Sequence, residues 1–235
     1  MLELYQLNKA LRFPPTEYAL KEPCGLLAFG GDLSVERLLL AYSLGIFPWF
    51  SEGEPILWWS PEPRGILPLE QFICSRSLQK LINRHKYKVT INHAFDQVIL
   101  ACAKIPRNDS GTWINQQMID AYQDLHQSGH AQSIEVWEND QLVGGLYGVT
   151  LGQVFCGESM FHRASNTSKL AMYYLIEHLK THGGAFIDCQ LQNPHLASLG
   201  CVSVERSDFL HRLTGAMLKT FEPAVWQPKI LVAQE

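Results

Sequence analysis

The stretch QSIEVWENDQLVGGLYGVTLGQVFCGESMF, residues 132–161, reads as three strand-like runs in series, 132–137, 141–149 and 153–161. The triplets between them, Glu138-Asn139-Asp140 and Thr150-Leu151-Gly152, carry hairpin-turn chemistry, so the three runs predict an antiparallel meander. Downstream, Asn166 or Ser165 is placed to cap a helix running to about Lys180, Gly183-Gly184 to end it, and 185–191 to form a further strand. Upstream, hydrophobic periodicity predicts a basic helix over 75–84, a strand over 87–91, a helix over 94–103 and another over 115–128, stopped by Gly129. Meander, helix, strand, with helices before them, is an α+β pattern with a mainly antiparallel sheet.

The chain before this region differs in composition. Eight of the 12 prolines lie between residues 14 and 68, and the change near residue 65 predicts two domains: a small N-terminal α/β domain, 1–64, and a larger one, 65–235. Within the first, Asp32 or Ser34 can cap a helix whose apolar positions Leu38, Leu39 and Tyr42 follow the helical period and which Gly45 ends. GIFPWF (45–50) leads to WWSPEPR (58–64), where Pro55, Pro61 and Pro63 exclude a regular helix; an irregular aromatic surface is expected there.

At 235 residues, 46% apolar and 18% charged, the chain can bury a sizeable core. Its longest apolar stretches, such as 25–31 and 171–176, are far shorter than the 18 or so residues of a membrane helix, so no span is predicted. The start, Met1-Leu2-Glu3-Leu4-Tyr5, has an early acid and no basic leader, which predicts no secretory signal and a cytoplasmic protein. The six cysteines (24, 74, 102, 156, 189 and 201) form no C-x-x-C and have no histidine at ligand spacing, so reduced, buried thiols and no metal are expected. With 19 basic and 23 acidic residues the net charge is −4, unlike a non-specific nucleic-acid binder; a polyanion would have to be met by a local patch.

Such a patch exists. Residues 71–95 contain no Asp or Glu but hold Arg76, Lys80, Arg84, Lys86 and Lys88, and the first three, spaced by four, would line one helical face. A solvated basic face is the alternative reading. Trp49, Trp58, Trp59 and Trp113 offer flat surfaces on which a base could stack. In the third meander strand, Glu158 lies by alternation opposite Phe155, Gly157 and Ser159 unless a bulge intervenes; it is either a solvent-facing edge acid or a partnered group beside a close ligand approach, which Gly157 would allow. Asp188 and Gln190, two apart on the next strand, should share a face, as a hydrogen-bonded pair or as a site. His195 reads as structural. No G-x-S-x-G elbow, P-loop or G-x-G-x-x-G motif opening a helix occurs, which disfavours acyl-enzyme and nucleotide-hydrolysing chemistry.

Taken in order, GLLAFGGDLS (25–34), AYSLGIFPWF, ILWWSPEPR, SRSL, GTWI, AYQDLH, SIEVW, LVGGLYGV, VFCGESMF, IDCQ and HLASLG resemble the leucyl/phenylalanyl-tRNA–protein transferases over nearly the whole chain. The resemblance implies an acetyltransferase-like (GNAT) C-terminal domain. It also implies transfer of Leu or Phe, less well Met, from aminoacyl-tRNA to the N-terminal amine of proteins beginning with Lys or Arg, marking them for degradation by the N-end rule pathway. A monomer without cofactor is expected. Carried onto this sequence, it puts Trp49 and Trp113 around the terminal adenosine of the tRNA with Tyr122 close by, Glu158 near the α-amine, and Asp188 with Gln190 at the reacting centre. The pocket for the transferred side chain would draw on Leu146, Phe155, Met172, Leu175 and Ile187. The Arg76, Lys80 and Arg84 face, read above from its spacing, would then meet the tRNA backbone.

Aminolysis of an ester is intrinsically downhill, so such a protein has mainly to orient two substrates and stabilise charge on the carbonyl oxygen. Asp188 is the candidate base, Gln190 an amide able to bond the amine or the oxyanion, and a tRNA ribose hydroxyl the alternative relay. The rival on the same expected fold is a coenzyme A-dependent acetyltransferase, but the junction Phe161-His162-Arg163-Ala164-Ser165-Asn166 lacks the glycines of a pyrophosphate loop.

Overall fold

The computed structural model describes residues 4–105 and 113–234. A four-stranded sheet is built from β1 (Tyr5–Leu7), β2 (Leu26–Gly30), β3 (Phe47–Pro48) and β4 (Leu57–Trp59), in the order β1-β2-β4-β3, with α1 (Val35–Ser43) between β2 and β3. An eight-stranded sheet holds β5 (Arg64–Pro68), β6 (Lys88–Ile91), β7 (Ala131–Glu138), β8 (Gln141–Leu151), β9 (Val154–His162), β10 (Phe186–Gln190), β11 (Val202–Val204) and β12 (Lys229–Val232). Its order is β11-β5-β10-β9-β8-β7-β6-β12. The remaining helices are α2 (Arg76–Ile82), α3 (Phe95–Ala103), α4 (Gln116–Gln127), α5 (Thr167–Thr181), α6 (Pro194–Ala197) and α7 (Arg206–Met217). No helix among the described residues is long and apolar enough to cross a membrane.

The meander forms, with its first turn where expected and its second at Gly152-Gln153, since Thr150 and Leu151 pair with Phe155 and Val154 as the end of β8. Asn139 and Asp140 take left-handed φ values of 48° and 61°, the two-residue turn whose twist matches that of the flanking strands, and Asn and Asp tolerate it. β9 then pairs in parallel with β10, and a parallel pair needs a crossover, which α5 supplies. Every other ladder of the large sheet is antiparallel, so the α+β class with a mainly antiparallel sheet stands. The chain leaves the small sheet at Trp59 and enters the large one at Arg64.

Two apolar layers cover the large sheet. On one face α2 and α5 pack Leu78, Leu170 and Leu175 against Leu146, Phe155 and Ile187. On the other, Phe95 of α3 and Met118 and Tyr122 of α4 join Leu38 and Tyr42 of α1, Trp58 of the small sheet and Tyr147 and Phe161. The small sheet therefore shares a core with the meander.

Several local expectations are corrected. Leu57–Trp59 is a strand, because the prolines around it forbid a helix but leave three residues free to pair. Trp58 is fully buried and donates its Nε1–H to the Gly30 carbonyl at 2.9 Å, so it presents no surface. Asn166 has φ 64° and its side chain makes no cap bond; instead the Thr167 hydroxyl bonds the carbonyls of Val143 and Ala164, each at 2.8 Å. The basic helix stops at Ile82, with His85 in a left-handed conformation, φ 48°. Arg84 consequently lies past the helix end. Of the six free cysteines four are buried, Cys74 is half-buried and Cys24 is exposed. The first two residues of GTWI lie outside the described residues.

Candidate active site

β9 and β10, the parallel neighbours, each break their ladder at a functional candidate. On β9, Gly157 pairs with Gly148 and Ser159 with Tyr147, so Glu158 is the extra, unopposed residue of a bulge. Gly148 makes this close packing feasible: a Cβ there would meet the Cys156 carbonyl at 2.2 Å and the Phe155 ring at 2.5 Å. On β10, Asp188 pairs with Ile66 and Gln190 with Gly65, and Gln190 takes φ 56°. Simple alternation therefore fails for the Asp188–Gln190 pair: the irregularity between them separates the fates of the two side chains.

Glu158 is half-buried and faces α1 and α4. The Tyr42 hydroxyl lies 2.7 Å from its Oε1 and the Tyr122 hydroxyl 3.0 Å from its Oε2, and the two hydroxyl oxygens also lie within hydrogen-bond distance of each other, so the two phenolic protons are shared among three contacts. Gln190 Nε2 reaches Oε1 at 3.4 Å. Burial pushes the Glu158 carboxyl up to about 7, against the pull of both tyrosine hydrogen bonds. Burial, with the neighbouring Glu158 charge, also holds both phenols well above their ordinary range.

Asp188 is 1% exposed and turned away from this group. Arg64, at the head of β5, donates Nε to Oδ1 at 2.8 Å and Nη2 to Oδ2 at 2.7 Å. The Gln190 backbone N–H donates to Oδ1 at 3.0 Å. The charge is thus paired and hydrogen-bonded, as a buried carboxylate must be.

Around Glu158 and Gln190 opens a cavity of about 350 Å³. Leu146, Phe155, Met172 and Ile187 line its apolar end, with Met160 and Cys189. Phe47, Trp49, Trp113 and Tyr147 form an aromatic wall, and Asn193 and His195 close the side nearest α6. Trp49 is 42% exposed, with its ring centroid 5.5 Å from that of Trp59, whose Nε1–H is held by the Trp49 carbonyl at 2.7 Å. Of the expected site residues, Tyr122 reaches the cavity only through Glu158, Leu175 packs in the layer beneath it, and Asp188 does not line it. His195, read from sequence as structural, is a cavity residue; burial, with Lys169 and His162 nearby, lowers its pKa.

Arg76, Lys80 and Arg84 are exposed, and among the described residues none has a carboxylate within ion-pair distance. Lys86 and Lys88 of the same stretch are engaged, with Glu138 at 2.8 Å and Asp140 at 2.7 Å. Sequence reasoning missed Arg64, Phe47 and the site role of Tyr42. Arg64 had a usable signal: a charge heading the apolar run Gly65-Ile66-Leu67 is costly unless a partner waits for it.

Comparison with known proteins extends over the same residues. The family model described as leucyl/phenylalanyl-tRNA protein transferase matches residues 66–214, and the model of that family's N-terminal domain matches 31–62. The leucyl/phenylalanyl-tRNA–protein transferase of Pseudoalteromonas atlantica is 62% identical over 98% of this chain and 99% of its own. That of Tolumonas auensis is 51% identical over 97% of each. A solved structure, of L-PGS from Bacillus licheniformis, aligns at 14% identity and TM-score 0.38 over 68% of this chain and 51% of its own, too slight a likeness to argue from. With matches of this identity along its whole length, the chain belongs to the leucyl/phenylalanyl-tRNA–protein transferase family and is a transferase.

Proposed function

We propose that the protein moves Leu or Phe, and less well Met, from aminoacyl-tRNA to the N-terminal α-amine of proteins beginning with Lys or Arg, marking them for degradation by the N-end rule pathway. It acts as a cytoplasmic monomer without a cofactor. Residues 65–235 are read as a GNAT-like catalytic domain, supported by the meander, the α5 crossover and the β9–β10 parallel pair; residues 1–64 add the Trp49 wall. The observation that carries the reading is one cavity in which an apolar end meets Glu158 and Gln190 beneath exposed Trp49. At about 350 Å³ it falls at the small end of ligand pockets, about 300–1,000 Å³, suited to an aminoacyl group.

In this reading the transferred side chain enters between Leu146, Phe155, Met172 and Ile187, with Leu175 supporting them from behind. The terminal adenine stacks on Trp49 and Trp113, and Arg76, Lys80 and Arg84 meet the tRNA backbone. The aminoacyl α-ammonium bonds Glu158, whose pKa falls as the cation replaces lost solvation, so the carboxyl ionises on binding. Gln190 orients the attacking amine or the oxyanion. The acceptor amine, with a reference pKa of about 8, attacks in its neutral form. The new amide bond forms at the carbonyl carbon, the ester C–O bond breaks, and the nitrogen's proton passes to the ribose oxygen through the neighbouring ribose hydroxyl. Asp188, engaged by Arg64, belongs to the reacting centre through Gln190.

The coenzyme A reading is disfavoured by the glycine-free turn before α5, whose first residue, Thr167, is bonded into the sheet. The test is incubation of the purified protein with Phe-, Leu- or Met-tRNA or acetyl-CoA and peptides beginning with Lys, Arg or Ala. Transfer from the three tRNAs to the Lys and Arg peptides is expected; transfer from acetyl-CoA, or equal use of the Ala peptide, overturns it.

A further inference from the structure

We infer that Arg64 is a positioning residue for the reacting centre: it locks Asp188, through it the Gln190 bulge, and ties both to the wall that carries Trp49. The inference rests on the proposed transfer reaction and deepens it. Arg64 is 1% exposed, at the head of β5, and its guanidinium uses three of its nitrogens on two distant segments. Nε and Nη2 form the two-point bond to Asp188, while Nη1 donates to the Gly45 carbonyl at 3.0 Å. Its Cζ lies over two rings, 4.9 Å from the Phe47 centroid and 4.5 Å from that of Phe209.

Each contact has a consequence at the cavity. Gly45 and Phe47 precede Trp49 by four and two residues, so the bond to Gly45 and the contact with Phe47 set where the aromatic wall stands. On the other side, Asp188 Oδ1 accepts from both Arg64 and the Gln190 backbone N–H. Gln190 sits at φ 56°, a conformation a glutamine adopts only when its surroundings hold it there; its N–H bond to Asp188 and the Leu191 N–H bond to the Cys189 carbonyl at 2.7 Å hold it from both sides. From this position its side chain reaches Glu158. One cation therefore sets the spacing between Trp49, against which the donor would lie, and Gln190, which would meet the acceptor amine. Lysine cannot substitute: a single ammonium lacks the planar fork that spans both carboxylate oxygens and a carbonyl at once.

The test pairs two variants with two readouts. In Arg64→Lys, kcat for transfer from Phe-tRNA should fall by about 10- to 100-fold, the scale expected when reacting groups are displaced by an ångström. KM for Phe-tRNA should rise less than kcat falls, by no more than about tenfold, since Trp49 is displaced and not removed and the basic residues of the α2 region are untouched. Hydrogen exchange in residues 186–192 should accelerate as the Gln190 N–H loses its fixed acceptor. Arg64→Met combined with Asp188→Leu removes both charges together, a change that buried pairs often tolerate; it should fold, with a cooperative thermal transition, yet lose transfer to the same extent. Arg64→Lys transferring within twofold of the parent, or the double variant keeping its rate, overturns the inference. Should the parent itself fail to transfer, the proposed reaction falls, and exchange over 186–192 decides alone: unchanged exchange in Arg64→Lys overturns the positioning role.

Discussion

Replacing Glu158 by Gln should make the protein more stable above neutral pH while removing its function. The carboxyl rises from an ordinary 4.5 to about 7 because it is buried, so the folded state disfavours its charged form and the unfolded state does not. The sign follows: a raised carboxyl pKa costs nothing below about 4.5, and the cost grows as pH climbs to about 7, where it levels off. At about 1.4 kcal/mol per pH unit the full difference is about 3 kcal/mol, and the water-accessible cavity beside Glu158 reduces this to about 1–3 kcal/mol. Gln keeps the shape, accepts from one tyrosine hydroxyl and donates to the other, and carries no charge. In urea unfolding between pH 4.5 and 8.5, the variant should match the parent at the acid end and exceed it by that amount at pH 8. This corresponds to roughly 2–12 °C in Tm for a chain of this size. Equal stability at pH 8, or a gap that persists unchanged at pH 4.5, would refute the reasoning. Transfer by the variant should fall, because an aminoacyl ammonium meets no charge.

Three other outcomes are expected. Leu146→Trp should overpack the apolar end of the cavity and exclude Leu and Phe while leaving the fold largely intact; unchanged transfer of both would place the side-chain pocket elsewhere. Trp49→Ala should weaken aminoacyl-tRNA binding by about 1–3 kcal/mol, the worth of a base stacked on an aromatic ring, read as a rise in KM with kcat at saturation retained. Arg76→Ala with Arg84→Ala should weaken tRNA binding and lower the salt slope by about one per lost phosphate contact, measured as Kd against salt concentration; an unchanged slope would make the stretch a merely solvated face.

The meander and the helices around it were legible in the sequence, because period and turn chemistry are local: Asn139-Asp140 turns whatever lies far away. The apolar residues of the cavity were named only through the family resemblance. What tertiary structure alone decided are the pairings that local pattern does not contain. Tyr42 reaches Glu158 across 116 residues and Arg64 reaches Asp188 across 124. In sequence the first is an apolar helix position and the second a charge beside prolines. Alternation put Asp188 and Gln190 on one face, but an irregularity in β10 left one carboxylate clamped by Arg64 and turned the neighbouring amide into the cavity. The helix period likewise carried α2 on to Arg84, but the helix ends at Ile82. Residue types with the right chemistry are written along the chain. Which of them face substrate and which hold the others in place depends on where the layers meet, because a buried charge is tolerated only where a partner from elsewhere in the fold arrives to satisfy it.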